Sequence, residues 1–288
     1  MKFVFIGGVP RSGTTMLQKI LGNHPQISAG PEFDNIPVIM DLFKKMKSGI
    51  KSGRQEVYYN QEFLKQNFNL FIESLFKNRI TNETVYISEK TPSNALVFKE
   101  LLDINTNNKL VFIVRDPRGI AASMKEVCQK AKKNNIKIGL HNKIYRNLKL
   151  MDNYYKALND ALKLDSERIY IIYYEDILEN SEKSIPPLFK FLGLNLLSEV
   201  LDTTNKNETS KLEFNPTASS WYSKEKFERP ISKEGIDSWK NVLTPLESNY
   251  IERYYLYRNT PFLKKYNFVK KNVLFDFWQS IFYKFYKP

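Results

Sequence analysis

Lys2-Phe3-Val4-Phe5-Ile6-Gly7-Gly8-Val9-Pro10-Arg11-Ser12-Gly13-Thr14-Thr15-Met16-Leu17 begins as a short apolar run and ends as the start of a helix, with a glycine-bearing turn between. A strand that passes through such a turn into a helix presents backbone N–H groups at a helix N-terminus, the arrangement that wraps phosphate. The spacing Gly8…Gly13 is that of a Walker A loop, but Thr14 stands where that loop carries lysine. Nucleoside-triphosphate chemistry uses this lysine on the β- and γ-phosphates, together with magnesium. A later strand also ends in Arg115 rather than directly in a magnesium-binding acid. The loop is therefore expected to hold phosphate without triphosphate–metal chemistry.

Outward from this loop, runs rich in Val, Ile, Phe and Tyr alternate with longer helical patterns. Strands are expected at Lys2–Ile6, Thr84–Ser88, Lys109–Val114 and Arg168–Tyr173. Helices are expected at Gly13–Gly22, Asn35–Met46, Asn60–Phe76, Asn94–Leu102, Gly119–Lys132 and Asn142–Leu164. Leu194 to Lys226 reads as irregular loop, with helices resuming near Ser232. The alternation predicts an α/β fold of the three-layer, P-loop type, a central parallel sheet flanked by helices. Ligands of open α/β sheets bind beyond the carboxyl ends of the strands. Glu89-Lys90-Thr91, Arg115-Asp116 and Tyr174-Glu175-Asp176 follow the later strands, so these segments and the loop are expected to share one crevice.

The 288 residues, 42% hydrophobic and 14% aromatic, suffice for one large core, placed at 1–261, with a basic, aromatic amphipathic helix at 262–288. In that tail Leu274, Phe277, Trp278, Ile281, Phe282 and Phe285 recur at helical spacing beside Lys270, Lys271, Lys284 and Lys287. Such a face packs on the domain or a partner subunit, or lies at a membrane surface. The formal charge of +13 raises the local concentration of anionic partners. One cysteine, Cys128, permits no intramolecular disulfide and no Cys-rich zinc site. With only His24 and His141 available, a histidine base has few places to form, and a carboxylate is the better candidate. Glu32, about 20 residues past the loop, is where a chain leaving the first helix returns to the crevice. The N-terminal apolar run is shorter than a signal peptide's, and no run reaches the ~18 apolar residues of a membrane span, so a cytoplasmic location is expected.

Gly7 to Leu17, followed by His24-Pro25 and Gly30-Pro31-Glu32, resembles the opening of the tyrosylprotein sulfotransferases and their bacterial relatives. The likeness is close over residues 3–40 and collinear to about 245. It implies a donor, 3′-phosphoadenosine 5′-phosphosulfate (PAPS), that leaves as adenosine 3′,5′-bisphosphate with no metal required. Arg11, Ser12, Gly13, Thr14 and Thr15 would hold the 5′-phosphosulfate, and Arg115 with Ser123 the 3′-phosphate. Tyr174 matches a nucleotide-contacting tyrosine, and Ser232 and Lys233 lie in a segment resembling one that closes over the nucleotide. Glu32 falls on the family's base, Lys90 on a lysine that stabilises the transferring group, and Ser223 on a further transition-state residue. Pro31 and Asp34 replace residues usually acidic and basic around the base, which implies altered acceptor recognition. Val127 replaces an arginine and Ser238 a lysine, with Lys125, Lys130 or Lys233 as possible compensation.

Sulfuryl transfer to a hydroxyl needs in-line positioning, charge stabilisation and a base. The expected acceptor is a peptide tyrosine, with a glycan or small-molecule hydroxyl as the alternative; nucleic acid is not an expected partner. Two other classes stay open at this stage: a P-loop kinase or NTPase, which needs a substitute for the lysine, and a non-catalytic binder of anionic polymers or membranes. Neither accounts for Arg115, Ser123 and Glu32 together.

Overall fold

The computed structural model describes residues 1–140, 142–202, 232–258 and 260–268. Ser223, His141 and the predicted helical face from Leu274 to Phe285 lie outside them.

Strand β1 (Lys2–Gly8) shows why the sheet has two covered faces. Successive strand residues point to opposite sides, and in β1 both sides are apolar. Phe3 and Phe5 enter one core, while Val4 and Ile6 enter another. A strand buried on both faces belongs at the centre of a parallel sheet. Accordingly β1 pairs in parallel with β3 (Tyr86–Lys90) on one side and β4 (Lys109–Val114) on the other. Strands β2 (Ile27–Ala29) and β5 (Ile169–Tyr173) complete the order β2-β3-β1-β4-β5.

The Phe3/Phe5 face packs on α2 (Ile36–Lys51), α3 (Gln61–Leu75), α4 (Phe98–Ile104), α5 (Pro117–Lys133), α6 (Ile144–Leu162) and α9 (Pro245–Arg258). The Val4/Ile6 face packs on α1 (Thr14–Gly22), α7 (Tyr174–Ser184) and α8 (Pro186–Leu192). The three-layer arrangement is that expected from the alternation of patterns. Phe112 is fully buried between Phe98 and Tyr155; truncating a side chain so placed costs about 3–5 kcal/mol.

Several boundaries differ from the sequence reading. The second expected strand lies two residues later, at Tyr86–Lys90, because Glu89 and Lys90 are both buried and both have partners. Charged residues read as a strand end only when they face water. The helix expected at Asn94–Leu102 is a 3-10 turn over Pro92–Val97 followed by α4. Strand β2 is three residues long, too short for a periodic signal. Phe262, Tyr266 and Phe268, assigned from sequence to the tail, pack on the main core through a 3-10 turn at Pro261–Tyr266. No helix among the described residues is long and apolar enough to cross a membrane.

Candidate active site

The loop after β1 sets the site. Arg11 takes a left-handed φ of 76° and Gly13 a φ of 104°, with Ser12 N–H donating to the Val9 carbonyl at 2.9 Å. Gly13 is required twice over: its φ disfavours side chains, and a Cβ there would stand 2.5 Å from Tyr174 Cδ2. No side chain caps α1, so the loop leads into a helix start whose first N–H groups have no intrahelical acceptor. The Ser12 hydroxyl is buried without a hydrogen-bond partner. Buried polar groups are seldom left unsatisfied, and here the unsatisfied group joins a cradle of N–H donors.

Beside the loop, the end of β4 delivers Arg115. Its Nη1 donates to the Arg11 carbonyl at 2.9 Å and its Nη2 to the Gly235 carbonyl at 3.3 Å. The guanidinium lies 4.2 Å from the centre of the Tyr174 ring. Carbonyls orient the cation without neutralising it. The neighbouring acids are engaged elsewhere: Asp116 caps α5 and pairs with Arg118, which also reaches Glu252 at 2.7 Å and stacks on Trp239. Glu175 accepts from the Asp116 amide at 2.9 Å and from the Tyr266 hydroxyl at 2.7 Å. Burial pushes the Glu175 carboxyl up, against those bonds.

Ser123, one α5 face further on, accepts from Arg11 Nε at 3.0 Å. Tyr174 also meets the segment after Ser232, where a Cβ on Gly235 would stand 2.6 Å from the Tyr174 hydroxyl oxygen. The Lys233 side chain is exposed and Ser232 half-buried. Ser238 donates to the Gly235 carbonyl at 3.1 Å, the same oxygen that receives Arg115. Of the possible replacements for the arginine at Val127, Lys125 is committed to Glu247 at 2.8 Å, while Lys130 and Lys233 are exposed.

On the other side of β1, the end of β3 delivers Lys90. Its buried ammonium donates to Thr15 Oγ1 at 3.1 Å and pairs with the Glu32 carboxylate. Phosphate loop, lysine and expected base thus form one connected chain. Asp34 lies beside them, and burial followed by the Glu32 charge pushes its carboxyl up, with Lys90 opposing. Burial, and then the Glu32 charge, also raise the Tyr154 phenol on α6.

The structure therefore brings together Arg11, Ser12, Gly13, Thr15, Arg115, Ser123 and Tyr174 at one flank, and Glu32 with Lys90 at the other. Thr14 is buried at the start of α1. His24 is a bridge: Nδ1 accepts from the Gln26 amide at 3.2 Å, which leaves Nε2–H to donate to the Asn195 carbonyl at 3.0 Å. Glu89, Arg118, Glu175 and Tyr154 were not singled out by the sequence reading. Glu89 and Glu175 lay within quoted stretches and Arg118 and Tyr154 did not, and nothing local distinguished a buried supporting acid from a solvated one. Among the described residues, no three His, Cys, Asp or Glu side chains are grouped to hold a metal ion.

A parallel sheet with this loop after its central strand defines an α/β protein of the P-loop type. The chain belongs to the sulfotransferase family: the family model described as "Sulfotransferase family" matches residues 4–199. Protein-tyrosine sulfotransferase 2 of Gallus gallus is 28% identical over 210 residues, covering 70% of this chain and 53% of that protein. Protein-tyrosine sulfotransferase of Drosophila melanogaster is 24% identical over 243 residues, covering 83% and 47% respectively. The chain thus spans about half the length of these curated relatives. Among solved structures, the sulfotransferase domain from the curacin biosynthetic pathway has a TM-score of 0.59 at 18% identity, covering 88% of this chain and 96% of that one. Mouse sulfotransferase SULT7A1 complexed with PAP has a TM-score of 0.56 at 15% identity, covering 92% and 88%. These two likenesses establish the shared fold.

Proposed function

We propose that this chain transfers a sulfuryl group from PAPS to a hydroxyl acceptor, with Glu32 as general base. The observation that carries the proposal is the Lys90 ammonium, held by the phosphate loop through Thr15 and by the base through Glu32. The residues fit the donor: an unpartnered buried Ser12 hydroxyl, an uncapped helix start and a glycine cradle face one phosphate, and an arginine whose guanidinium is held by carbonyls suits another. When bound, PAPS supplies a sulfuryl group whose bond to the 5′-phosphate oxygen breaks as the acceptor oxygen attacks.

The roles follow from the chemistry of each side chain. Arg11, Ser12, Gly13, Thr14 and Thr15 hold the 5′ end, while Arg115 with Ser123 holds the 3′-phosphate against Tyr174. Ser232 and Lys233 belong to the closing segment. Lys90 has three N–H donors, two of them on Thr15 and Glu32, and the third serves negative charge developing on the leaving oxygen. Glu32 Oε takes the acceptor's proton. Ser223 keeps its assignment as a further transition-state residue.

Peptide tyrosine is the favoured acceptor, on the names of the relatives. The extra carboxylate of Asp34 beside the base disfavours acidic flanking sequence and supports a second reading, a sugar or small-molecule hydroxyl. A cytoplasmic location and peripheral membrane contact through the aromatic face from Leu274 to Phe285 are part of the same proposal. Incubation with radiolabelled PAPS and three acceptors (a tyrosine peptide, an oligosaccharide and 4-nitrophenol) tests the reaction. Label transfer that disappears in Glu32→Gln supports it; transfer that persists in that variant overturns the role of Glu32.

A further inference from the structure

The mechanism leaves unused the most deeply buried acid among the described residues, Glu89, the strand neighbour of Lys90. Adjacent strand residues point to opposite faces, and these two side chains grip the same loop from opposite sides. Lys90 holds the Glu32 carboxylate. Glu89 Oε1 accepts from the Phe33 amide at 3.3 Å and from the Thr91 hydroxyl at 2.7 Å. The Thr91 oxygen in turn accepts from the Asp34 amide at 3.1 Å. The second Glu89 oxygen accepts from Asn94, whose amide also donates to the Ile6 carbonyl at 3.2 Å, tying the cluster to β1.

We propose that Glu89 is a positioning residue for Glu32, fixing through Thr91 and the Phe33 amide the turn that presents the base to Lys90. This rests on the reading of Glu32 as the base. The amides held by the cluster belong to the two residues that follow Glu32. Asp34 has a φ of 61°, a left-handed turn conformation that costs energy for a residue with a side chain, less for Asp than for most, and its amide is held there by Thr91. Among the described residues Glu89 accepts from N–H and O–H donors rather than from an ammonium or guanidinium, and burial pushes its carboxyl up, with the Lys90 charge opposing. A buried acid of this kind is costly compared with an apolar residue. Acceptance of three donors around one turn gives it a purpose that an apolar residue cannot serve.

Thr91→Val removes the relay hydroxyl at nearly constant volume, and Thr91→Ser keeps it. Three measurements compare them with the unaltered protein and with Glu89→Gln: hydrogen exchange of the Phe33 and Asp34 amides, carbodiimide–glycinamide labelling of Glu32, and calorimetric titration with adenosine 3′,5′-bisphosphate. Thr91→Val is expected to speed Asp34 exchange and Glu32 labelling by about tenfold, the scale of one lost hydrogen bond. Thr91→Ser restores both, and nucleotide affinity stays within about twofold throughout. Exchange and labelling in Thr91→Val equal to the unaltered protein would overturn the proposal. So would equal effects of Val and Ser, or nucleotide affinity falling in step with labelling. Failure of the unaltered protein to bind the nucleotide would remove the sulfuryl-transfer reading instead, while the two loop measurements still decide the role of Glu89.

Discussion

The two flanks of β1 carry opposite chemistry. Toward β4, Arg115 is oriented by two carbonyls and a ring, and the acids nearby are occupied by Arg118 and by the Asp116 amide. Toward β3, Glu32 pairs with the Lys90 ammonium with Asp34 beside it, and Glu89 lies buried behind the same turn among N–H and O–H donors. One flank offers positive charge to an anion; the other offers a carboxylate to a proton. Under the proposed function, nucleotide belongs to the β4 side and acceptor to the β3 side, with Lys90 and Thr15 joining the two flanks.

This division makes substitutions separable. Glu32→Gln should have the largest effect, lowering sulfuryl transfer by about 10²–10⁴-fold while calorimetric affinity for adenosine 3′,5′-bisphosphate is kept. A parallel loss of affinity would break the division. Arg115→Ala should act at the other flank, weakening the nucleotide by roughly 10–100-fold, the worth of charge-assisted hydrogen bonds. Gly13→Ala sharpens the geometry: its φ of 104° and the Tyr174 contact at 2.5 Å predict about tenfold weaker nucleotide binding with a lowered melting temperature. Unchanged binding would mean that the loop does not hold the nucleotide in this conformation.

The smallest effect is expected away from both flanks, at Lys125–Glu247. Burial raises the Glu247 carboxyl, but Lys125 and the Thr244 amide overcome this and hold it below its ordinary range. A lowered acid stabilises above its unfolded-state range and loses that contribution as pH falls through its folded value. Glu247→Gln should therefore cost about 0.5–1 kcal/mol near neutrality, with the difference fading on acidification in denaturant titrations. A constant difference across pH would contradict this origin.

The flanks also differ in how far the sequence disclosed them. The β4 side was legible because its signal is local: a glycine turn before a helix, and an arginine at the end of an apolar strand. On the β3 side, Glu32 and Lys90 were identified, with residue resemblance doing most of the work. Glu89 was not, because a buried acid and a surface acid look alike without the fold. The misplaced end of β3 has the same cause, since the strand continues through Glu89 and Lys90, whose partners include the distant Phe33 amide, Thr15 and Glu32. The bridging role of His24 depends on Asn195, far along the chain, and no spacing rule could supply it.

The central claim, that the loop after β1 and Arg115 form a nucleotide site of the sulfotransferase kind, is tested most directly by calorimetry. The metal-free protein is titrated with adenosine 3′,5′-bisphosphate, with Arg115→Ala in parallel and ATP as competitor. The account predicts binding without magnesium that is weakened in the variant and poorly displaced by ATP. Absence of binding, or preferential binding of ATP with magnesium, would contradict it.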